Sequence, residues 1–387
     1  MVMNNFSFFN NTKILFGEGQ IANLKAEIPT NAKVMITFGG GSIKKNGIFE
    51  QVTTALADIN WVEFGGIEPN PHYETCLKAV ERVKAEKVDF LLAVGGGSVI
   101  DATKFIAAAA KHQGDAWEII QSFGGAVQNA LPIGCVLTLA ATGSEMNPTA
   151  VVTRADTQDK LFFNSDFVRP RFSILDPQTT YTLPVRQVGN GVVDSFVHVL
   201  EQYVTYPVNA KVQDRFAEGL LSTILEDGPK ALLEPKNYEV RANLMWAATM
   251  ALNGLIASGV PGDWATHLIG QELTGLYGLD HGQTLAIVMP AVWTYKLAQK
   301  REKLAQYGRR VLNINEADDA VVAEQAIVRT REFFESMGVK THLADYGLGA
   351  EVITPVVEKL QAHQFTQLGE RGDITPADVA KILELAL

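Results

Sequence analysis

From residue 33 to about residue 175, short apolar runs alternate with stretches of helical spacing. Residues 33–38 (KVMITF) read as a strand running into Gly39, Gly40, Gly41 and Ser42, and an amphipathic helical pattern covers 46–59. A second strand at 60–64 ends in Gly65, Gly66 and the turn 68–71. Residues 73–86 are helical by spacing, with Ala79, Val80 and Val83 on one face. The run 88–94 (VDFLLAV) is apolar throughout, as a strand covered on both faces is, and passes through GGGS into an Ala-rich helix at 99–112. Strands at 133–138 and 172–175 bracket a hairpin, 151–153 with 160–163. This strand–helix rhythm implies a parallel sheet with crossover helices.

The strand signal stops after about Pro184. Helices are expected at 190–205, 209–226, 237–258, 263–275, 281–298, 300–312, 318–336, 350–362 and 375–386. The expected architecture is α/β plus all-α, with a Rossmann-like parallel-sheet dinucleotide-binding domain over 1–184 and an all-helical domain over 185–387. No internal repeat or low-complexity tract stands out.

The 387 residues suffice for two domains and a large core, and 47% apolar with 20% charged residues describes an ordinary globular chain. A net charge of −10 argues against nucleic acid and anionic membrane surfaces, which need clustered Lys and Arg. Cys76 and Cys135 sit in apolar contexts and build no framework, which fits a reducing cytoplasm. The start, MVMNNFSFFNNTKILFG, lacks the basic region and apolar run of a signal peptide. The most apolar window, 91–110, is broken by Gly95, Gly96, Gly97, Asp101 and Lys104, so no membrane span is expected.

Candidate chemistry lies in the helical half. Asp194 and His198 are four residues apart, so they project from one helix face a turn apart. His267 lies on a second amphipathic segment, and His281 opens a third after a Gly-containing break. One Asp with three His suits Zn²⁺ or Fe²⁺ better than Ca²⁺ or Mg²⁺. An Asp/His pair at this spacing is commonly structural. What favours ligation is that only seven histidines exist and three fall on these apolar segments.

The two GGGS loops, 39–42 and 95–98, each follow a predicted parallel strand, where glycines let backbone N–H groups approach phosphate oxygens. Neither matches G-x-G-x-x-G, and either alone is more often just a turn; the two on neighbouring strands, with Gly65 and Gly66 after the strand between, shift the reading toward a dinucleotide site. The first loop carries no carboxylate for a ribose 2′-OH; its small donors with Lys44 or Lys45 suit a 2′-phosphate, which favours NADPH over NADH. Either lysine taken alone reads better as a solvated residue at a helix start.

Six runs, ITFGGGSIKKNG, FGGIEPNP, LLAVGGGSVIDATKFIA, TLAATGSEMN, DWATHLIGQEL and GLDHGQTLAIVMP, make the whole chain resemble the iron-containing (group III) alcohol dehydrogenases, in particular the bacterial NADPH-dependent aldehyde reductases and butanol dehydrogenases. The resemblance implies a dinucleotide-binding domain and a dehydroquinate synthase-like helical domain with the active site in the cleft between them. It implies that Asp194, His198, His267 and His281 ligate one divalent metal, Zn²⁺ or Fe²⁺, and act catalytically through it. It places Gly95, Gly96, Gly97 and Ser98 at the pyrophosphate, Gly40 and Ser42 by the adenosine ribose and its 2′-phosphate, and Asn70, Asp101, Thr138, Thr142, Asn147, Lys160 and Thr182 along the NADP(H) cofactor.

The implied reaction is hydride transfer between NADP(H) and small or medium aliphatic aldehydes and alcohols, by a cytoplasmic homodimer. Trp264, Leu268, Phe196, Val197 and Trp246 are candidates for an apolar substrate pocket. One departure stands out: many relatives carry a histidine where this chain has Gln271, and an amide cannot titrate near neutrality. Two rivals are a metal-dependent lyase or synthase on a related scaffold and a non-catalytic nucleotide-binding protein. The scarcity of Lys and Arg around the candidate ligands disfavours the first; only Gln271 suggests the second.

Overall fold

A computed structural model of the chain describes residues 2–387, which form two units. The first comprises Phe9–Leu183 with Pro235–Thr249. Its strands are β1 (Lys13–Phe16), β2 (Lys33–Thr37), β3 (Asn60–Phe64), β4 (Phe90–Gly95), β5 (Ile133–Leu137), β6 (Thr149–Arg154), β7 (Asp159–Asn164) and β8 (Phe172–Leu175). Six of them form a parallel sheet in the order β1-β8-β5-β4-β2-β3, and β6 with β7 make the antiparallel hairpin.

Side chains alternate across this sheet with period two, and both faces are covered. Met35, Leu91, Ala93, Ile133 and Cys135 pack under the helices Tyr73–Glu86 and Gly97–Ala109. Val34, Ile36, Leu92, Val94 and Val136 pack on the other face with Ile21, Leu24 and Val52. Strand order reverses between β2 and β4, whose register pairs Thr37 with Ala93. The two GGGS loops therefore leave the carboxyl ends of adjacent strands at the switch point, where doubly wound sheets bind ligands.

The second unit takes Pro184–Glu234, Met250–Leu387 and the N-terminal residues through Phe8. Its long helices are Val185–Tyr203, Lys211–Leu233, Ala265–Tyr277, His281–Tyr295, Leu297–Arg310, Asp319–Ser336, Ile353–Ala362 and Pro376–Glu384. The helix His281–Tyr295 is buried all round over Leu285–Trp293, which its uniformly apolar sequence requires. Phe196 packs with Phe333, Phe334 and Tyr307.

Several expectations differ from the structure. The strand β1 is absent from the sequence reading, because four residues carry too little periodicity; its status comes from pairing with β8, more than 150 residues away. The pattern at 46–59 shortens to the helix Ile48–Ala55, set off from a preceding helix Ser42–Lys45 at Gly47, whose φ of 83° is left-handed. Two segments lie with the unit that their place in sequence would not assign. Residues 235–249 join the α/β unit because Met245 enters its core and Trp246 packs on Phe16. The N-terminal residues join the helical unit, where Asn4 N–H donates to Gly259 O at 3.0 Å. No helix among the described residues is long and apolar enough to cross a membrane.

Candidate metal centre and dinucleotide loops

The helix Val185–Tyr203 carries Asp194, His198 and Glu201 on one face, at spacings of four and three residues. All three are buried. The Asp194 Oδ1 lies 3.4 Å from His198 Nδ1, 3.9 Å from His267 Nε2 and 3.7 Å from His281 Nε2. Burial lowers the His198 pKa to about 4, despite the opposing pull of Asp194, so its imidazole is neutral near pH 7.

His267 stands in the first turn of Ala265–Tyr277, and that helix start is held by the helix that carries Asp194. Glu201 Oε1 accepts from Thr266 N–H at 2.8 Å, while Glu201 Oε2 is in hydrogen-bond contact with His267 Nδ1. Asp263 Oδ1 accepts from Ala265 N–H at 3.2 Å. Between them Trp264 takes a φ of 60°, a left-handed conformation that is strained for a bulky residue. Its ring lies 5.5 Å from that of His267.

His281 is the first residue of its helix, capped by Asp280 in a capping box with Gln283. Asn190 Nδ2 donates to Asp280 Oδ2 at 2.7 Å, tying this cap to the helix that carries Asp194. The two helices also meet at Gly282, where a Cβ would lie 2.7 Å from Asn190 O. Glycine at 282 is thus a packing requirement one residue from a candidate ligand.

A divalent ion fits this arrangement. Asp194, His267 and His281 each offer a donor atom, and these atoms all lie within 4.8 Å of one another. The Asp194–imidazole separations exceed an N–H···O hydrogen bond of about 2.7–3.2 Å. They are close to the edge of about 3.4 Å that four ligands at about 2.1 Å make around one tetrahedral ion. His198 adjoins this trio, its ring stacked on His267 at 4.6 Å, but lies outside the mutual cluster. Gln271, one turn beyond His267, is buried, and its Oε1 has no hydrogen-bond partner among the described residues.

In the α/β unit the second GGGS loop is shaped by close approach. A Cβ on Gly96 would sit 2.9 Å from Leu139 Cβ, and one on Gly97 would sit 2.5 Å from Thr142 Oγ1 and Cγ2. This loop and the one after β5, with Thr138 and Thr142, are therefore in contact. Asn70, at a φ of 55°, donates its N–H to Ser98 Oγ at 3.3 Å. Over Gly40 a Cβ would meet nothing within 4 Å, and Ser42 beside it is exposed. Thr182 Oγ1 accepts from Asn46 Nδ2 at 3.0 Å, and Lys160 is buried in the hairpin.

Asp101 and Asn147 do structural work. Asp101 accepts from Ser144 Oγ at 2.5 Å and Val151 N–H at 3.0 Å. Asn147 Oδ1 accepts from Thr149 N–H at 3.0 Å and from Lys104 Nζ at 3.1 Å. The Lys104 ammonium, fully buried, also donates to Ser144 Oγ, Asn147 O and Thr149 O, each at 2.8 Å, and so stitches the loop after β5. Lys44 and Lys45 are both exposed, and Lys44 is engaged with Glu63 at 2.8 Å.

Sequence reasoning missed Glu201, Lys104 and the buried Lys300, which lies 2.7 Å from Asp263 Oδ2. Glu201 had a signal, the face it shares with Asp194 and His198. Of the pocket candidates, Phe196 and Val197 are fully buried core, and Trp246 packs in the α/β unit.

Residues 11–177 match the family model described as iron-containing alcohol dehydrogenase, and residues 189–387 match that of the Fe-containing alcohol dehydrogenase family, C-terminal. The chain is 59% identical to the NADPH-dependent aldehyde reductase YqhD of Escherichia coli K12, over 99% of its own length and 100% of the relative's. It is 40% identical to the probable NADH-dependent butanol dehydrogenase 1 of Bacillus subtilis, over the full length of both. The crystal structure of E. coli K-12 YqhD superposes with a TM-score of 0.99 over 100% of both chains. That of NADH-dependent butanol dehydrogenase A from Thermotoga maritima gives 0.95 at 37% identity, over 100% of this chain and 99% of the other. With both halves matched and these identities end to end, the chain is an oxidoreductase of the iron-containing alcohol dehydrogenase family.

Proposed function

We propose that this enzyme reduces small and medium aliphatic aldehydes with NADPH, at a divalent metal held by Asp194, His198, His267 and His281. The observation that carries the proposal is the mutual approach of Asp194, His267 and His281 donor atoms within 4.8 Å. When bound, NADPH supplies the hydride and the ion supplies Lewis-acid polarisation of the carbonyl oxygen.

The chain's own residues set the terms. Asp194 brings one negative charge, burial keeps the His198 imidazole neutral, and an imidazole that ligates is uncharged, so a site holding a dication keeps a net positive charge that favours an alkoxide. Gln271 can hydrogen-bond near substrate but cannot deliver a proton by titrating. In the α/β unit the GGGS loops at the β2/β4 switch point would take the pyrophosphate and adenosine ends of the dinucleotide. The first loop holds no carboxylate and offers Lys45, which suits a 2′-phosphate. The YqhD relative is named NADPH-dependent, and the 40% identical relative NADH-dependent. We further propose a cytoplasmic homodimer: Cys76 and Cys135 are both free and buried, as a reducing compartment allows, and Phe6, Phe8 and Phe9 are exposed near the N-terminus.

The test is oxidation of NADPH and of NADH with butanal, on protein stripped by chelator and reloaded with Zn²⁺ or Fe²⁺. Activity with NADPH that returns only with metal agrees with the proposal, and the better ion identifies itself. NADPH oxidation undiminished in the stripped protein sinks the metal role, and faster oxidation of NADH sinks the cofactor preference.

A further inference from the structure

The contact between Glu201 and His267 does more than fill the core. A neutral imidazole carries its proton on Nδ1 or on Nε2, and only the nitrogen without it can bind a metal. Glu201 Oε2 meets the Nδ1 side of His267, while the Nε2 side faces Asp194 Oδ1 at 3.9 Å. A carboxylate there accepts from Nδ1–H, which leaves the Nε2 lone pair on the side of Asp194 and His281.

Glu201 is itself held at several points. Its second oxygen accepts from Thr266 N–H at 2.8 Å, and its backbone carbonyl accepts from Asp263 N–H at 2.9 Å. Asp263 in turn meets the ammonium of Lys300, whose side chain is wholly buried. Lys300 also donates to Val204 O at 2.9 Å and meets Glu370 Oε2 at 2.9 Å. Lys300 thus grips both the end of the helix carrying Asp194 and the loop before the helix carrying His267. Burying an ammonium among two carboxylates is costly unless each is paired, and here the pairing bridges the two ligand-bearing segments.

We propose that Glu201 is a positioning residue that selects the Nδ1–H tautomer of His267 and aims its Nε2 at the metal, with Lys300 and Asp263 holding Glu201 in place. This rests on the metal reading above. A glutamine at 201 keeps the shape but turns one oxygen into a donor, so it cannot accept from both Thr266 N–H and His267 Nδ1–H.

The experiment has two parts. In ¹⁵N-histidine NMR of the metal-free wild-type chain, His267, assigned by loss of its signals in His267→Gln, is expected as the Nδ1–H tautomer. Co²⁺ is then titrated into wild type, Glu201→Gln and His281→Ala at a temperature where circular dichroism shows each folded. Glu201→Gln is expected to bind Co²⁺ on the order of 10- to 100-fold more weakly, with an altered visible ligand-field band. An Nε2–H tautomer in the wild type overturns the proposal, as does an unchanged Co²⁺ affinity and band in Glu201→Gln. Should Glu201→Gln not fold, the wild-type tautomer alone decides. Equal Co²⁺ binding by wild type and His281→Ala, or none by wild type, overturns the metal reading itself, and is thereby told apart from failure of the Glu201 role.

Discussion

Replacing Gly97 by alanine isolates one close approach on which the dinucleotide loop depends. The added Cβ would lie 2.5 Å from both Thr142 Oγ1 and Cγ2, about 0.9 Å inside the 3.4 Å at which ordinary contact begins. Thr142 cannot swing aside freely, because its Oγ1 accepts from Ser144 N–H at 3.2 Å and its carbonyl accepts from Asn147 Nδ2 at 3.3 Å. Overpacking of this kind costs about 1–3 kcal/mol. Alanine in a helix otherwise gains about 0.5–1 kcal/mol over glycine, since the unfolded chain loses less freedom. The clash wins over nearly all of that range, for a net loss of up to about 2.5 kcal/mol. A unit of this size shifts its melting midpoint by about 2–4 °C per kcal/mol, so a fall of up to roughly 10 °C is expected. Adding Thr142→Ala removes both clashing atoms, and a double-mutant cycle read by denaturant unfolding should show the pair non-additive by about 1–3 kcal/mol in the stabilising direction. If Gly97→Ala melts at or above the wild type, or the two changes add within about 0.5 kcal/mol, the close approach does not govern this loop. Under the proposed function, NADPH titrated by fluorescence also binds Gly97→Ala more weakly.

Four further outcomes are expected. Gly282→Ala sets a Cβ 2.7 Å from the Asn190 carbonyl, a backbone group that cannot rotate away, so metal retained after dialysis should fall; retention equal to wild type would show that the helix start absorbs the methyl. Burial lowers the Lys104 pKa from 10.5 to about 8, against the pull of Asp101, Cys135 and Glu145 and with a small push from Arg169. Because this folded-state pKa lies below the unfolded one, the unfolded chain binds more protons between those values, and stability should climb from pH about 8 toward about 10. Lys104→Met should lack that part of the slope in denaturant midpoints, and identical slopes would place Lys104 outside the linkage. Because Gln271 does not titrate, kcat/KM for butanal should be flat between about pH 6 and 8, and a limb with an imidazole midpoint would mean that another group carries the proton. Metal binding only the folded chain should raise its midpoint with free Zn²⁺ concentration, by about 2.7 kcal/mol at a hundredfold excess over Kd; a midpoint indifferent to chelator would speak against a bound ion.

Much of this enzyme was legible in the order of its residues, because local physics decides it. The strand Asn60–Phe64 and the helix Tyr73–Glu86 have the bounds that periodicity predicts, since each is a single run with punctuation on both sides. The Asp194/His198 spacing put two candidate ligands on one face before any fold was known, and helical spacing from His281 onward predicted the helix that the structure starts at that residue. Only tertiary structure could decide relations between distant segments. The tetrapeptide of β1 becomes a strand because β8 offers it backbone partners, and residues 235–249 leave the helical half because Met245 and Trp246 find apolar surface on the α/β unit. Glu201 is 66 residues from His267, and Lys104 lies 40 from Ser144; their hydrogen bonds have no local pattern to reveal them. Periodicity records which face of an element is buried, but a buried charge is tolerated only where a partner meets it, and that partner is chosen by the packing of the whole unit.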